Sequence, residues 1–355
     1  MKVIYTYAGL TNRASGVARY FFEVTQRLRK NIEVNILMCF VSNLYFASIL
    51  QKPSFFGEHK FRGKNLLRFF LEESYLFLKL HVEKYDLVHH TGESNGVFKW
   101  VNTPIIITIH DMIPEMYYKS NQSRIEKRQY SINHASGIIC VSQNTKKDLL
   151  KFYPDIPEER VRVIYHGYDK RSYNYHKNNL GKYILYVGER YSEYKNFTFF
   201  LNSIASLLSK DIKLICTGHG FSSMEYSFLK EIEVSDYVTN VGFVSDAELA
   251  NLYHHALCFV YPSLYEGFGI PILEAFSNDC LVCLSNTSCF PEIAGDAGIY
   301  FNPKDSENIL GVVGDVISNQ IKYKKFIDKG RGRLSAFSWD VASEQTLSFY
   351  RQIVK

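Results

Sequence analysis

No stretch of this sequence approaches the roughly 18 consecutive apolar residues that a membrane-spanning helix needs. It also lacks the basic stretch and short apolar run of a secretory leader, because MKVIYTYAG passes straight into a strand pattern. The expectation is therefore a cytoplasmic protein. Cysteine is sparse: seven residues, an odd number scattered through apolar segments, argue against a disulfide framework and fit reduced thiols. Cys280 and Cys283 form a CxxC, but no second pair accompanies them and CLVCLS reads as a buried strand. Low-complexity sequence is absent, and no segment evidently repeats another.

What is present suits two packed cores. A chain of 355 residues, 46% hydrophobic and 22% charged, exceeds the roughly 250–300 residues at which a single core stops growing. The net charge of +5 is unevenly spread: residues 1–175 carry 25 Lys and Arg against 16 Asp and Glu, which leaves the remainder acidic. A basic half points to an anionic partner. Within it, segment 55–86 mixes Lys60, Arg62, Lys64, Arg68 and Lys79 with Phe55, Phe56, Phe61, Phe69, Phe70, Tyr75 and Phe77. Two readings fit that mixture: a patch for a membrane surface, or a core-facing helix with a solvated basic edge.

Strand-length apolar runs alternate with longer amphipathic stretches throughout, the pattern of βαβ units and parallel sheets. In the first half they are 2–8, 33–40, 86–90, 104–110, 137–142 and 161–165; in the second, 182–188, 211–217, 237–242, 257–261, 280–285 and 298–302. The aperiodic polar stretch YHGYDKRSYNYHKNNLGK separates the two series. This organisation predicts an N-terminal domain over 1–168, a linker over 169–181 and a C-terminal domain over 182–337. A final helix over 338–355, following a basic turn at DKGRGR (328–333), is expected to cross back to the first domain.

The densest chemical signal is PSLYEGFGIPILEA, 262–275. A strand runs into a loop with Gly267 and Gly269, and Pro271 stands where proline favours a first helical turn. Glycines let a ligand approach the backbone, and the helix beyond offers unpaired N–H groups and a positive dipole end, a setting for an anion. Glu266 lies in the loop and Glu274 in the helix. Their separation along the chain argues against the pair of carboxyls about 5–5.5 Å apart that a retaining hydrolase uses.

Stretch 184–275 resembles the C-terminal domain of glycosyltransferase family 4, and the likeness extends over the whole chain, tightly in 184–302 and loosely in 40–100. The resemblance implies an α/β protein of GT-B fold, with two Rossmann-like domains whose parallel sheets face a central cleft. The family's Glu, seven residues, Glu motif matches Glu266 and Glu274. By resemblance Glu266 contacts donor-sugar hydroxyls and Glu274 the nucleotide ribose, while the amides of Gly267, Phe268, Gly269 and Ile270 approach the sugar or diphosphate. Carboxylates suit these contacts because each accepts two hydroxyl protons. On the residues alone, Glu274 also fits a solvated helix position near the dipole.

A second family element is YVGERYSEYKNF, 186–197, in which Lys195 matches the lysine that binds the diphosphate and Arg190 matches the accompanying arginine approximately, since Glu189 follows the glycine directly. Cations there would stabilise the charge that develops on the leaving group. A solvated loop with ordinary charge pairs is the alternative. CTGHG, with Gly218, and NVGFVSDAEL, with Gly242, Phe243 and Val244, end the next strands, where the family's main chain holds the base; Ser245 and Glu248 form a capping box and His219 reads as a loop residue. In the first half, TNRASGVARYFFEV resembles the family's glycine loop, with Gly16 approaching acceptor and diphosphate, and in ITIHDMIPE the family's histidine facing the donor sugar matches His110. His110 also fits a satisfied core histidine. VSQNTKKDL and RVIYHGYD resemble further family positions, with His166 where asparagine is common.

The sequence has no DxD, so the ligands that hold a divalent ion in GT-A enzymes are missing; Lys195, Arg190 and a helix N-terminus would replace it, with no metal and no cofactor. The resemblance implies retention of configuration by front-face transfer. It points to bacterial mannosyltransferases of surface-polysaccharide assembly, such as O-antigen or capsule, with GDP-mannose as first donor and a UDP- or dTDP-sugar as second. The expected acceptor is a glycan or lipid-linked glycan, bound where the likeness is loose. Peripheral contact with an anionic inner membrane face is open, and no nucleic-acid partner is expected. The rival class is a non-catalytic sugar-nucleotide-binding protein of the same fold, against which the presence of both glutamates, Lys195 and His110 argues. A phosphorylase-like or epimerase reaction would need a lysine-anchored pyridoxal site or another carboxylate layout.

Overall fold

The computed structural model of the chain describes residues 1–6, 16–37, 45–46, 64–92, 101–118, 120–168, 173–177 and 179–355; side chains of 64–69 and 72 are outside that description. The chain divides into two compact units, Met1–Gly167 with Ser338–Lys355, and Tyr168–Phe337.

In the first unit, β1 (Lys2–Tyr5), β2 (Glu33–Ile36), β3 (Leu87–His90), β4 (Ile105–Ile109), β5 (Gly137–Cys140) and β6 (Val161–Val163) form one sheet in the order β2-β1-β3-β4-β5-β6, parallel throughout. Strands covered on both faces must be apolar on both, and every residue of β5 (GIIC) is buried. In β3 (LVHH) the burial includes two histidines, which find partners as buried polar groups must. His89 Nδ1 meets the Tyr350 hydroxyl and its Nε2 lies 2.9 Å from Thr108 Oγ1, while His90 Nδ1 lies 2.9 Å from Thr6 Oγ1. Tyr350 belongs to the helix Trp339–Val354, whose buried residues Trp339, Ala342, Ser343, Thr346, Leu347, Phe349 and Tyr350 recur at helical spacing. That stripe joins the core built by Tyr20, Phe21 and Val24 of the helix Gly16–Leu28.

In the second unit, β7 (Lys182–Tyr186), β8 (Ile212–Cys216), β9 (Val238–Asn240), β10 (Cys258–Tyr261), β11 (Val282–Ser285) and β12 (Ile299–Phe301) form a parallel sheet in the order β12-β11-β10-β7-β8-β9. The chain builds outward from β7 through β8 to β9 and then returns to β10 on the other side. The reversal of strand order lies between β7 and β10, the kind of point at which open α/β sheets bind ligands at their carboxyl ends.

Each of the twelve strand-length segments holds a strand, shorter than the apolar run that announced it. DKGRGR is not a turn: it closes the helix Gln320–Arg333. Gly330 there lies against Phe276, and a Cβ on it would come within 2.6 Å of the Phe276 ring, so this glycine serves close helix packing. Part of segment 55–86 forms the helix Lys64–Val82, and residues 55–63 lie outside the described residues. Leu76 of this helix is buried, whereas Phe70, Leu78 and Val82 are 59%, 57% and 81% exposed. No helix among the described residues is long and apolar enough to cross a membrane.

Candidate active site

The site of the second unit begins with backbone. Gly188, Gly218 and Gly242, beyond the carboxyl ends of the adjacent strands β7, β8 and β9, all have positive φ, at 113°, 102° and 77°. A Cβ on Gly218 would stand 3.0 Å from the Gly188 carbonyl oxygen, and Gly218 N–H donates to the Gly242 carbonyl at 2.9 Å. L-residues rarely adopt these angles, so the three turns form a floor without side chains, open to a ligand's close approach. Beside it Phe243 is 76% exposed and edge-on to His219, ring centroids 4.7 Å apart. Val244 lines a neighbouring cavity of about 370 Å³ with His176, Asn251 and Leu252. Ser245 and Glu248 form the expected capping box, with Ser245 N–H donating to Glu248 Oε2 at 2.7 Å.

At the switch point the loops after β7 and β10 meet. Lys195 ends a short 3-10 turn, Glu193–Lys195, and Nζ donates to Glu266 Oε1 at 2.7 Å, the two side chains only 17% and 12% exposed. Burial acts against the lysine's charge, but the carboxylates of Glu266 and Glu189 outweigh it and hold the ammonium above its ordinary pKa. Leu264 N–H donates to the Tyr194 carbonyl at 2.7 Å. Asn196, with φ of 57°, donates its amide to the Pro262 carbonyl at 3.2 Å and the Pro303 carbonyl at 2.8 Å. Together they fix the lysine's turn against the glutamate's loop.

Past Glu266, Gly267, Phe268 and Gly269 are buried and the helix Ile270–Ser277 begins. Gly269 stands at its N-cap with φ of 90°, Pro271 lies in the first turn, and no side chain among the described residues caps the end. An uncapped N-terminus of this kind suits an anion. The Phe268 ring belongs to the interior, edge-on to Phe337 at 5.7 Å. Glu274 is half-buried, and its charge together with burial pushes the buried Tyr253 hydroxyl well above its ordinary range, burial being the larger cause.

Arg190 is placed differently from the expectation of a cation facing the ligand. Its side chain is 3% exposed, and its guanidinium donates to Glu225 Oε1 at 2.8 Å and to the carbonyls of Thr217 at 3.2 Å and His219 at 2.5 Å. It holds the glycine turn after β8 from beneath. The rigid fork of donors explains why arginine serves here.

In the first unit, Gly16 opens the helix Gly16–Leu28, and residues 11–15 of its glycine loop lie outside the described residues. His110 follows β4 and borders a cavity of about 400 Å³ with Thr91, Thr108, Asp111, Arg124 and Arg128. Its ring packs edge-on against Tyr20 at 5.2 Å and Phe21 at 5.6 Å, and both ring nitrogens are buried and have no hydrogen-bond partner among the described residues. Burial, aided by the charge of Arg128, lowers its pKa to about 3 and keeps it neutral. His166 stacks on Tyr20 at 4.9 Å.

Two residues beside Glu266 escaped the sequence reading. Asn196 stands inside the YKNF motif but its clasp depends on a left-handed backbone, and Ser288, 22 residues beyond Glu266, bonds the Glu266 main chain. Neither has a spacing that announces it.

Comparison with known proteins places this geometry. Residues 170–333 match the family model for glycosyl transferases group 1, and residues 14–171 match that for glycosyltransferase family 4. O-antigen chain mannosyltransferase B of Escherichia coli is 25% identical over 99% of this chain and 100% of its own length. O-antigen chain mannosyltransferase RfbU of Salmonella typhimurium is 29% identical over 59% of this chain and 60% of its own. Among solved structures, sucrose-phosphate synthase from Thermosynechococcus elongatus superposes with a TM-score of 0.78 at 16% identity, covering 99% of both chains. With two parallel six-stranded sheets, matched family models over both halves and a full-length relative of the same kind, the chain belongs to the family 4 glycosyltransferases, enzymes of GT-B fold.

Proposed function

We propose that this glycosyltransferase moves mannose from GDP-mannose onto a glycan or lipid-linked glycan acceptor in surface-polysaccharide synthesis, with retention of configuration and without a metal ion. The observation that carries the reading is the Lys195–Glu266 pair beside the glycine floor and the uncapped helix N-terminus, a cation and a carboxylate held where a sugar diphosphate needs both. The names of the two O-antigen relatives favour mannose.

In this reading the diphosphate lies along the glycine turns, and Lys195 with the N–H groups of Gly269 and Ile270 neutralises it. Glu266 accepts hydroxyl protons of the sugar and Glu274 those of the ribose. The bond from the anomeric carbon to the diphosphate oxygen breaks while the acceptor oxygen bonds that carbon on the same face. The acceptor's proton passes to the departing phosphate oxygen, so no side-chain base is required. We assign the cavity beside His110 to the acceptor and give Arg190 the supporting part its contacts describe.

The exposed apolar residues of the helix Lys64–Val82, in the basic half of the chain, support peripheral contact with an anionic membrane surface.

The test is a panel of GDP-, UDP- and dTDP-sugars, measured by thermal protection and by transfer to a lipid-linked acceptor in excess EDTA. At about 100 times its dissociation constant a donor adds about 2.7 kcal/mol of stability. Protection by GDP-mannose alone, with transfer that survives EDTA, is the expected result. Protection by a UDP-sugar instead would overturn the donor, and activity lost to EDTA and restored by magnesium or manganese would overturn the metal-free mechanism.

A further inference from the structure

Ser288 lies in the stretch after β11, between that strand and the helix Phe290–Ala294, with φ of 58°. A non-glycine residue is strained there, so the position asks what its side chain contributes. The hydroxyl supplies an answer. It accepts from Glu266 N–H at 3.1 Å and donates to the Glu266 carbonyl oxygen at 2.6 Å, gripping both polar atoms of one residue's main chain. A hydroxyl can do both at once because it carries one proton and two lone pairs.

The grip falls at the one point of the loop where position matters to the carboxylate. On the far side, Leu264 N–H is tied to Tyr194 and the Pro262 carbonyl to Asn196, so the loop's beginning is anchored to the lysine's turn. The helix Ile270–Ser277 anchors its end. Between those anchors, Ser288 is the residue that bonds the backbone of Glu266 itself. Lys195 reaches the Glu266 side chain, but that ion pair must share the carboxylate with a sugar whenever donor is bound, whereas the serine's bonds go to main chain and persist.

We propose that Ser288 is a positioning residue for sugar transfer: its hydroxyl fixes the Glu266 backbone so that the carboxylate meets the donor sugar in one orientation, and its effect is on turnover rather than on nucleotide affinity. This rests on the reading of Glu266 as the residue that holds the donor sugar.

Two substitutions separate this role from a merely structural one. Ser288→Gly removes the hydroxyl and relieves the backbone strain. It should keep the melting temperature and the affinity for GDP, yet lower kcat by roughly 10- to 100-fold, the scale expected when a reacting group is displaced by part of an ångström. Ser288→Thr keeps the hydroxyl but puts a β-branched side chain at positive φ; it should lose melting temperature and retain kcat in the folded protein. Glu266→Ala is measured alongside. Impaired turnover in Glu266→Ala with unchanged kcat in Ser288→Gly would overturn the Ser288 role alone. Unchanged kcat in Glu266→Ala would overturn the reading beneath it and the Ser288 role with it. A fall in melting temperature in Ser288→Gly with kcat intact would make the serine structural.

Discussion

Lys195 and Glu266 stand 71 residues apart in the chain and 2.7 Å apart in space, paired as cation and carboxylate. A donor must therefore enter a site whose two charges already satisfy one another. Burial penalises both charges and their mutual attraction offsets that penalty, so the pair stands ready on the two loops that carry it.

Replacing Lys195 by alanine should weaken nucleoside-diphosphate binding and lower kcat by about 100-fold or more, because on the proposed reading the lost charge faces the leaving group. It also leaves a largely buried carboxylate unpaired. A double-mutant cycle with Glu266→Ala should accordingly show coupling of about 1–3 kcal/mol in thermal or denaturant unfolding. Additive effects and unchanged kinetics would reduce the pair to an ordinary surface contact.

The two glutamates should fail differently. On the proposed reading Glu274→Ala removes a ribose contact made equally in ground and transition states, so it should raise the donor KM and weaken GDP binding with kcat nearly kept. Glu266→Ala should spare GDP affinity and lower kcat, since a sugar not held at its hydroxyls presents its anomeric carbon poorly. Isothermal titration with GDP beside steady-state kinetics distinguishes them, and the opposite pattern would reverse the donor's orientation.

For Arg190 the expected loss is one of stability. Alanine there takes one partner from Glu225 and from the carbonyls of Thr217, His219 and Gly220, although Glu225 keeps Ser222 and the His219 carbonyl keeps Asn240, and it should cost about 2 kcal/mol in urea unfolding, with nucleotide affinity falling as the glycine turn loosens. Arg190→Lys should recover little, because one ammonium cannot reproduce the fork. An Arg190→Ala protein of full stability and lost turnover would instead return the arginine to the ligand.

Acid should undo the first unit at mildly low pH. Burial lowers the pKa of His89 and His110 from 6.5 to about 3, so both stay neutral in the folded chain and bind protons once it unfolds. Their stabilising contribution is whole above pH 6.5 and declines as pH falls towards 3. Each then contributes a loss of about 1.4 kcal/mol per pH unit. Melting curves between pH 7 and 4 should show this slope flatten in His89→Gln; an unchanged slope would place the acid sensitivity elsewhere.

The strands were legible because parallel strands buried on both faces write themselves as apolar runs, clearly in β5 (GIIC, buried throughout) and more weakly in β6 (VRV), where Arg162 is exposed. The lysine and glutamate motifs were legible because each begins with an apolar strand and runs into a polar, glycine-bearing loop, and those two strands, β7 and β10, flank the reversal of strand order. DKGRGR misled because glycine marks a turn and a close helix contact alike, and only the Phe276 ring opposite Gly330 decides between them. Arg190 misled because a cation beside a phosphate-binding motif looks the same whether it faces the ligand or the loop beneath it. Ser288 and Asn196 were invisible because their side chains bond main-chain atoms of distant residues from left-handed backbone positions, which leave no periodicity.

The helix Trp339–Val354 completes the core of a unit whose other residues all precede Tyr168. On a ribosome the second unit is made as one continuous stretch and can fold as it emerges. The first unit has to wait, its sheet already synthesised but lacking Trp339, Phe349 and Tyr350, until the whole of the other has been made. The order of synthesis thus reverses the order of completion, and the half that begins the chain is the last to close.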